Sequence, residues 1–247
     1  MNEDMVRRGV AEFVGTFTLI FIGGGAGIAV AAYSPTAGNL IAVALANGLA
    51  IGIMVTNLGH ISGGHFNPAI TLGFVTTRRI TLPLAVTYWI AQLLGGVLAA
   101  VVLRLLTSEA AVRKGALPFP HIADGKALVF EAILTFFLVW AVWATAVDPR
   151  GAFKAIAGLA IGLTITIDVL TGGRYTGAAM NPARALGPEV AGKLFTGWWV
   201  YWIGPIIGAV LASGIYEFLY LSPTQPPVVG TPGSGVDEPR PGETALS

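Results

Sequence analysis

The chain has 247 residues, of which only 11% are charged and 54% are apolar. Soluble domains carry roughly 25% charge, so this chain lacks the polar residues with which a soluble enzyme coats its surface. A formal net charge of +1 gives no basic footprint for nucleic acid, and the absence of Cys removes disulfides, thiolate metal sites and thiol nucleophiles.

The charges are unevenly spread, with no Asp, Glu, Lys or Arg between Glu12 and Arg78. At about 20 apolar residues per bilayer crossing, the spans predicted in chain order are Val10–Ala32, Leu40–Leu58, Leu82–Leu106, Ala127–Val147, Ala155–Leu170 and Gly197–Tyr220. The first is too long for a cleaved signal and runs on into a second span, so it is expected to remain. Two apolar pieces, Ile61–Val75 and Thr176–Val190, are left over, each too short to cross and each following a Gly-rich approach. Irregular backbone at membrane depth persists only where protein buries it or it lines an aqueous cavity. Two such pieces predict re-entrant segments around a pore. With six spans, Arg7, Arg8, Arg78, Arg79, Arg150, Lys154 and Arg240 share one side, which the positive-inside bias makes cytoplasmic. Both termini are therefore expected in the cytoplasm and the host bilayer is taken as the plasma membrane. From Ser222 onward the chain turns to Pro, Gly, Thr and acidic residues, a composition expected to stay disordered.

The chain reads as two copies of one unit. Asn67-Pro68-Ala69 recurs as Asn181-Pro182-Ala183, Gly48-Leu49-Ala50-Ile51-Gly52 as Gly158-Leu159-Ala160-Ile161-Gly162, and Tyr88-Trp89-Ile90 as Tyr201-Trp202-Ile203. Ala11-Glu12 with Thr16-Phe17 is echoed by Phe130-Glu131 with Thr135-Phe136. Three spans per copy turn the second copy over, giving an inverted repeat whose site lies near the bilayer midplane. The expected layout is one channel domain over residues 1–220, with repeats of about 8–106 and 126–220, and a tail over 221–247.

Asn is a preferred N-cap and Pro suits the first helical turn, so each Asn-Pro-Ala predicts a helix start, opening Ala69–Val75 and Ala183–Val190. If the two pieces dip from opposite faces, their N-termini meet with about half a unit of positive charge each. Each capping Asn keeps an amide donor for the lumen. Two donors and two positive helix ends suit a neutral molecule that accepts hydrogen bonds, and oppose cations.

The segments Gly59-His60-Ile61-Ser62-Gly63-Gly64-His65-Phe66-Asn67-Pro68-Ala69 and Gly177-Ala178-Ala179-Met180-Asn181-Pro182-Ala183-Arg184 resemble the two signature loops of the aquaporin (major intrinsic protein) family. The resemblance covers approximately residues 8–220. It implies an all-α integral membrane fold of six tilted helices and two re-entrant half-helices, one pore per subunit and a homotetramer. It makes Arg184 the arginine of the family's extracellular constriction, donating to solute and repelling cations. Aligned on the two signature asparagines, the remaining constriction positions fall on Asn47, Val169 and Ala178. The family's strict water channels carry a bulky aromatic and a His at the first two of these, so a wider mouth is implied. Ala185 and Tyr201-Trp202 are similar to water channels rather than glycerol facilitators.

Glu12 and Glu131 hold equivalent repeat positions inside spans, where a carboxylate must be hydrogen-bonded. Their symmetry favours accepting bonds from the non-helical backbone ahead of each half-helix over a proton relay. His60 and His65 lie in the first re-entrant loop, where bracing is the commoner role and cytoplasmic gating by protonation the alternative. Asp168 reads either as a solvated vestibule group or as an anchor for Arg174, and Glu217 as a snorkelled or paired acid. The chain is thus expected to pass water, with ammonia, urea or hydrogen peroxide as further neutral solutes, needing no cofactor, metal or nucleic-acid partner and doing no enzymatic chemistry. A glycerol facilitator is the alternative, and an ion-coupled transporter a more distant one, since it would require carboxylates in the pore.

Overall fold

The structure is a computed structural model describing residues 3–33, 39–150 and 156–221. The tail expected to be disordered and Lys154 lie outside the described residues. Helix α1 spans Glu3–Tyr33, α2 Asn39–Ser62, α3 Pro68–Thr76, α4 Leu82–Leu106, α5 Glu109–Ala111, α6 Asp124–Val142, α7 Ala157–Gly172, α8 Pro182–Gly192 and α9 Val200–Tyr216. No strand occurs among the described residues. Helices α6 and α9 run on into wider π-helical turns, Trp143–Val147 and Glu217–Leu221.

Helix α1 starts earlier than the span predicted from Val10 because its charged first residues are good helix starters. Glu3 and Asp4 oppose the N-terminal dipole, and Asp4 Oδ2 pairs with Arg8 Nε one turn on at 2.8 Å. The short α5, with the π-helical turn Val112–Ala116 after it, was not expected between the third and fourth spans. Ser108 starts it, its Oγ accepting from Ala111 N at 3.0 Å.

Among the described residues, five helices are long and apolar enough to cross a bilayer. Helix α7, with 16 residues, would rise about 24 Å, short of the roughly 30 Å hydrocarbon core. It packs along α2. At that crossing Gly48 faces Gly162 and Gly52 faces Gly158, so the Gly-x-x-x-Gly segments of the two repeats meet each other. A Cβ on Gly48 would collide with the Gly162 carbonyl oxygen, and one on Gly162 with that of Gly48. Small residues at such spacing let backbones approach closely where lipid offers no hydrophobic drive.

The remaining contacts come in matched pairs. Helix α1 packs on α2 and α4, and α6 on α7 and α9. Each half-helix crosses to the other half: α3 packs against α9 and α8 against α4. Exposed apolar side chains such as Ile90, Leu94, Leu98, Leu159, Leu163 and Leu211 face outward along the long helices, a surface that needs lipid around it.

Candidate functional site: a pore between two half-helices

The site is built from two loops that run extended into helix starts. Asn67 has φ −155° and ψ 120°, and its Oδ1 accepts from Ala69 N at 2.9 Å, with Pro68 at the first helical position. Asn181 repeats this with φ −156° and ψ 112°, its Oδ1 accepting from Ala183 N at 2.9 Å and Arg184 N at 3.3 Å. The residue before each Asn is left-handed, Phe66 at φ 49° and Met180 at φ 52°. Non-Gly residues rarely sit there without support.

That conformation turns the Phe66 and Met180 carbonyls across the molecule. Asn67 Nδ2 donates to Met180 O at 2.8 Å, and Asn181 Nδ2 donates to Phe66 O at 2.9 Å. The two Asn-Pro-Ala segments are therefore hydrogen-bonded to each other through the asparagine amides. One amide hydrogen on each Asn is spent on this bond, leaving one for the lumen rather than a wholly free amide.

The strain is held by the two matched carboxylates, both fully buried. Glu12 Oε1 accepts from Ser62 Oγ at 2.6 Å and His65 N at 3.0 Å, while Oε2 accepts from Phe66 N at 2.6 Å and Gln92 Nε2 at 2.8 Å. Glu131 Oε1 accepts from Thr176 Oγ1 at 2.6 Å and Ala179 N at 3.0 Å, and Oε2 from Met180 N at 2.7 Å. The repeat breaks at one partner, since Pro205 stands where the first half has Gln92. Tyr88 and Tyr201 complete each loop, donating through their hydroxyls to Ser62 O and Thr176 O, both at 2.6 Å. The Tyr-Trp-Ile repeat marked these tyrosines, but their role was not legible from it. Ser62 and Thr176 fell inside the re-entrant segments without a role, and nothing marked Gln92.

A narrow cavity of about 30 Å³ runs past these loops. It is lined by both signature asparagines and by Asn47, Val169, Ala178 and Arg184, so the structure brings the four constriction positions together. One water needs about 10–15 Å³ by this measure, so the cavity has room for about two waters. Asn47 Nδ2 donates to Val43 O of its own helix at 2.8 Å. Ala178 is left-handed at φ 45°, and Gly177 before it, at φ 84°, packs so closely on Pro118 that a Cβ would lie 2.8 Å from Pro118 Cα. The Arg184 guanidinium donates to no loop carbonyl among the described residues, and its Nη1 is buried without a partner.

The two loop histidines separate. His65 lines the cavity, pairs through Nδ1 with Thr71 Oγ1 at 3.0 Å and stacks on Phe74 with ring centroids 4.1 Å apart. His60 is exposed on the last turn of α2. Asp168 is only 2% exposed with Oδ2 unpartnered, which closes the solvated reading. Glu217 is paired: it takes Arg79 Nε and Nη2 at 2.8 and 2.7 Å and Trp143 Nε1 at 3.2 Å, tying the far end of α3 to α9. The far end of α8 is tied in turn by Arg104 Nη1 on Ala191 O at 3.2 Å and Arg113 Nε on Gly192 O at 2.5 Å.

The family model for the major intrinsic proteins matches residues 1–216. The chain belongs to that family. It is 43% identical over 231 residues to Probable aquaporin TIP-type alpha of Phaseolus vulgaris, covering 92% of this chain and 90% of the relative. Probable aquaporin TIP3-2 of Arabidopsis thaliana is 42% identical, with 92% and 88% covered. Among solved structures, the aquaglyceroporin from Plasmodium falciparum superposes with a TM-score of 0.78 at 26% identity, covering 87% of this chain and 96% of that one. Membership carries the integral, multi-pass membrane placement with it.

Proposed function

We propose that this major intrinsic protein is a passive channel for water that excludes protons and ions. The observation that carries the reading is the pair of asparagine amides, held at the junction of two helix N-termini by bonds to the opposite loop and lining a cavity of about 30 Å³. A water passing there accepts from the spare amide hydrogens, and the paired positive helix ends oppose a cation. Asn47, Val169, Ala178 and Arg184 form the selectivity constriction, and Glu12 and Glu131 brace the loops. Ammonia, urea and hydrogen peroxide are the further neutral solutes, admitted by the small side chains at Val169 and Ala178.

The active unit is one domain over residues 1–220 built of two inverted repeats, assembled as a homotetramer with both termini cytoplasmic. The host bilayer is the plasma membrane; the TIP-type names of the relatives are the observation against it, since Val169 and Ala178 also resemble the family's plant vacuolar-membrane branch. Membrane fractionation decides between them. A glycerol facilitator is the second reading, supported by the aquaglyceroporin's superposition and opposed by Ala185 and Tyr201-Trp202.

Stopped-flow shrinkage of proteoliposomes in sucrose tests the main reading. Water permeability is expected well above that of empty liposomes and unaffected by mercurials, because the chain has no Cys. Permeability equal to the empty control in well-incorporated protein refutes the channel reading, whereas strong mercurial block would contradict only the expected resistance. A narrower test addresses the mouth. Asn47→Phe is expected to cut urea and peroxide flux about tenfold while water flux changes much less, since selectivity follows the pore's diameter and its lining donors and acceptors. Unchanged urea and peroxide fluxes would remove Asn47 from the constriction.

A further inference from the structure

At its Arg184 end the narrow cavity opens into a wider one of about 280 Å³, which shares Val169 and Arg184 with it. The wall opposite is the π-helical turn after α5 and the strand of backbone that follows it to His121. His121 N bonds Tyr175 O at 2.8 Å and Gly177 packs on Pro118, so the wall is fixed to the second re-entrant loop. Lys114, Arg174 and Arg184 line this vestibule with His121, and its lining holds no Asp or Glu among the described residues.

The acids nearby are spent or turned away. Both Glu131 oxygens accept from the loop beneath, and Asp168, beside Val169, is buried outside the lining. On the same face Glu109 pairs with Arg104 and Arg113 at 2.8 Å and with Lys193 at 3.5 Å. Lys114 makes no ion pair among the described residues. At the floor lies the Arg184 guanidinium, its Nη1 buried without an acceptor. With no protein acceptor among the described residues, these donors are left for whatever occupies the cavity, and a cleft lined by one sign of charge concentrates the opposite ion. A guanidinium fork matches the oxygens of a tetrahedral oxyanion, and a Lys beside it adds a point charge.

We propose that this vestibule is a binding site for a small free oxyanion of the phosphate or sulfate class, seated on Arg184 between Lys114 and Arg174, where it closes the mouth to water. The site rests on the water-channel reading for its effect, though not for its ligand. The expected behaviour is a saturable block: sulfate or inorganic phosphate lowers water permeability by more than half, whereas chloride at equal ionic strength and osmolarity does not.

The experiment uses the full chain in phosphatidylcholine liposomes, which carry no anionic headgroup, with the anion on both faces. Lys114→Gln alone is expected to weaken the sulfate response about threefold, and with Arg174→Gln about tenfold, the size of effect for losing one and two close charges in a partly exposed site, and both to leave water flux in chloride unchanged. Thermal unfolding in detergent supplies a readout independent of conduction, since a ligand that binds only the folded state raises the melting temperature. Sulfate is expected to raise it more than chloride does, and less in the double variant. Protein that conducts no water yet shows this difference fails the channel reading and keeps the anion site. An effect that chloride matches, or that survives the double substitution undiminished, overturns the proposal.

Discussion

Glu12→Ala is expected to destabilise the fold by about 4 kcal/mol or more, on the basis of about 1–3 kcal/mol for each of four buried donors stranded without an acceptor. Four donors converge on that carboxylate: Ser62 Oγ, His65 N, Phe66 N and Gln92 Nε2. The lower end applies where water from the pore reaches some of them. Two of the donors are backbone amides next to the left-handed Phe66, so the loss also frees the loop to leave the conformation that aims its carbonyl at Asn181. Glu131→Ala strands three donors and should cost roughly one donor less. Glu12→Gln keeps one acceptor oxygen and should fall between wild type and Glu12→Ala. Melting of detergent-solubilised protein, followed by size exclusion, measures the series. A Glu12→Ala protein as stable as wild type would mean that the carboxylate does not hold its loop, and a larger loss at Glu131 would mean that the number of stranded donors does not set the cost.

The same network shows where sequence reading reached and where it stopped. Asn67 and Asn181 were legible because capping is a local rule: Asn, then Pro, then a helix needs no knowledge of the rest of the fold. Glu12 and Glu131 were legible because a buried carboxylate must find donors and the repeat placed both near the same kind of loop. Their partners were not, since Gln92 lies 80 residues from Glu12 and only tertiary packing joins them. The cross-loop asparagine bonds span 113 and 115 residues and depend on left-handed backbone at Phe66 and Met180. Neither residue type advertises that conformation, as a Gly would have done. Short irregular elements fared worst. α5 and its π-helical turn have no periodicity to read, yet the loop after them builds the vestibule wall. Helix ends moved for a similar reason, since hydropathy marks apolar residues while charged first turns such as Glu3-Asp4 also form helix.

Arg184→Ala should change what the pore refuses far more than what it passes. Asn181 caps α8 through Oδ1 and Arg184 contributes only its backbone N to that cap, so the half-helix should keep its start when the side chain is removed. The guanidinium makes no hydrogen bond to the loops among the described residues, and little stability should be lost. What disappears is a fixed positive charge beside a narrow passage. A unit charge about 4 Å from a passing cation contributes roughly 4 kcal/mol at an effective dielectric of 20, equivalent to a factor of about a thousand. The two helix ends remain, each with about half a positive charge, so part of the barrier survives. Proton or sodium leak through proteoliposomes is therefore expected to rise by about ten- to a hundredfold, and urea flux to rise with the wider mouth. Water flux should change by less than about threefold, because a water loses only one hydrogen-bond partner of modest net worth. Arg184→Lys separates charge from shape: it keeps the cation barrier, so its leak should stay near wild type. Equal leak in wild type and Arg184→Ala, with folded protein in both, would move ion exclusion from the arginine to the helix ends alone.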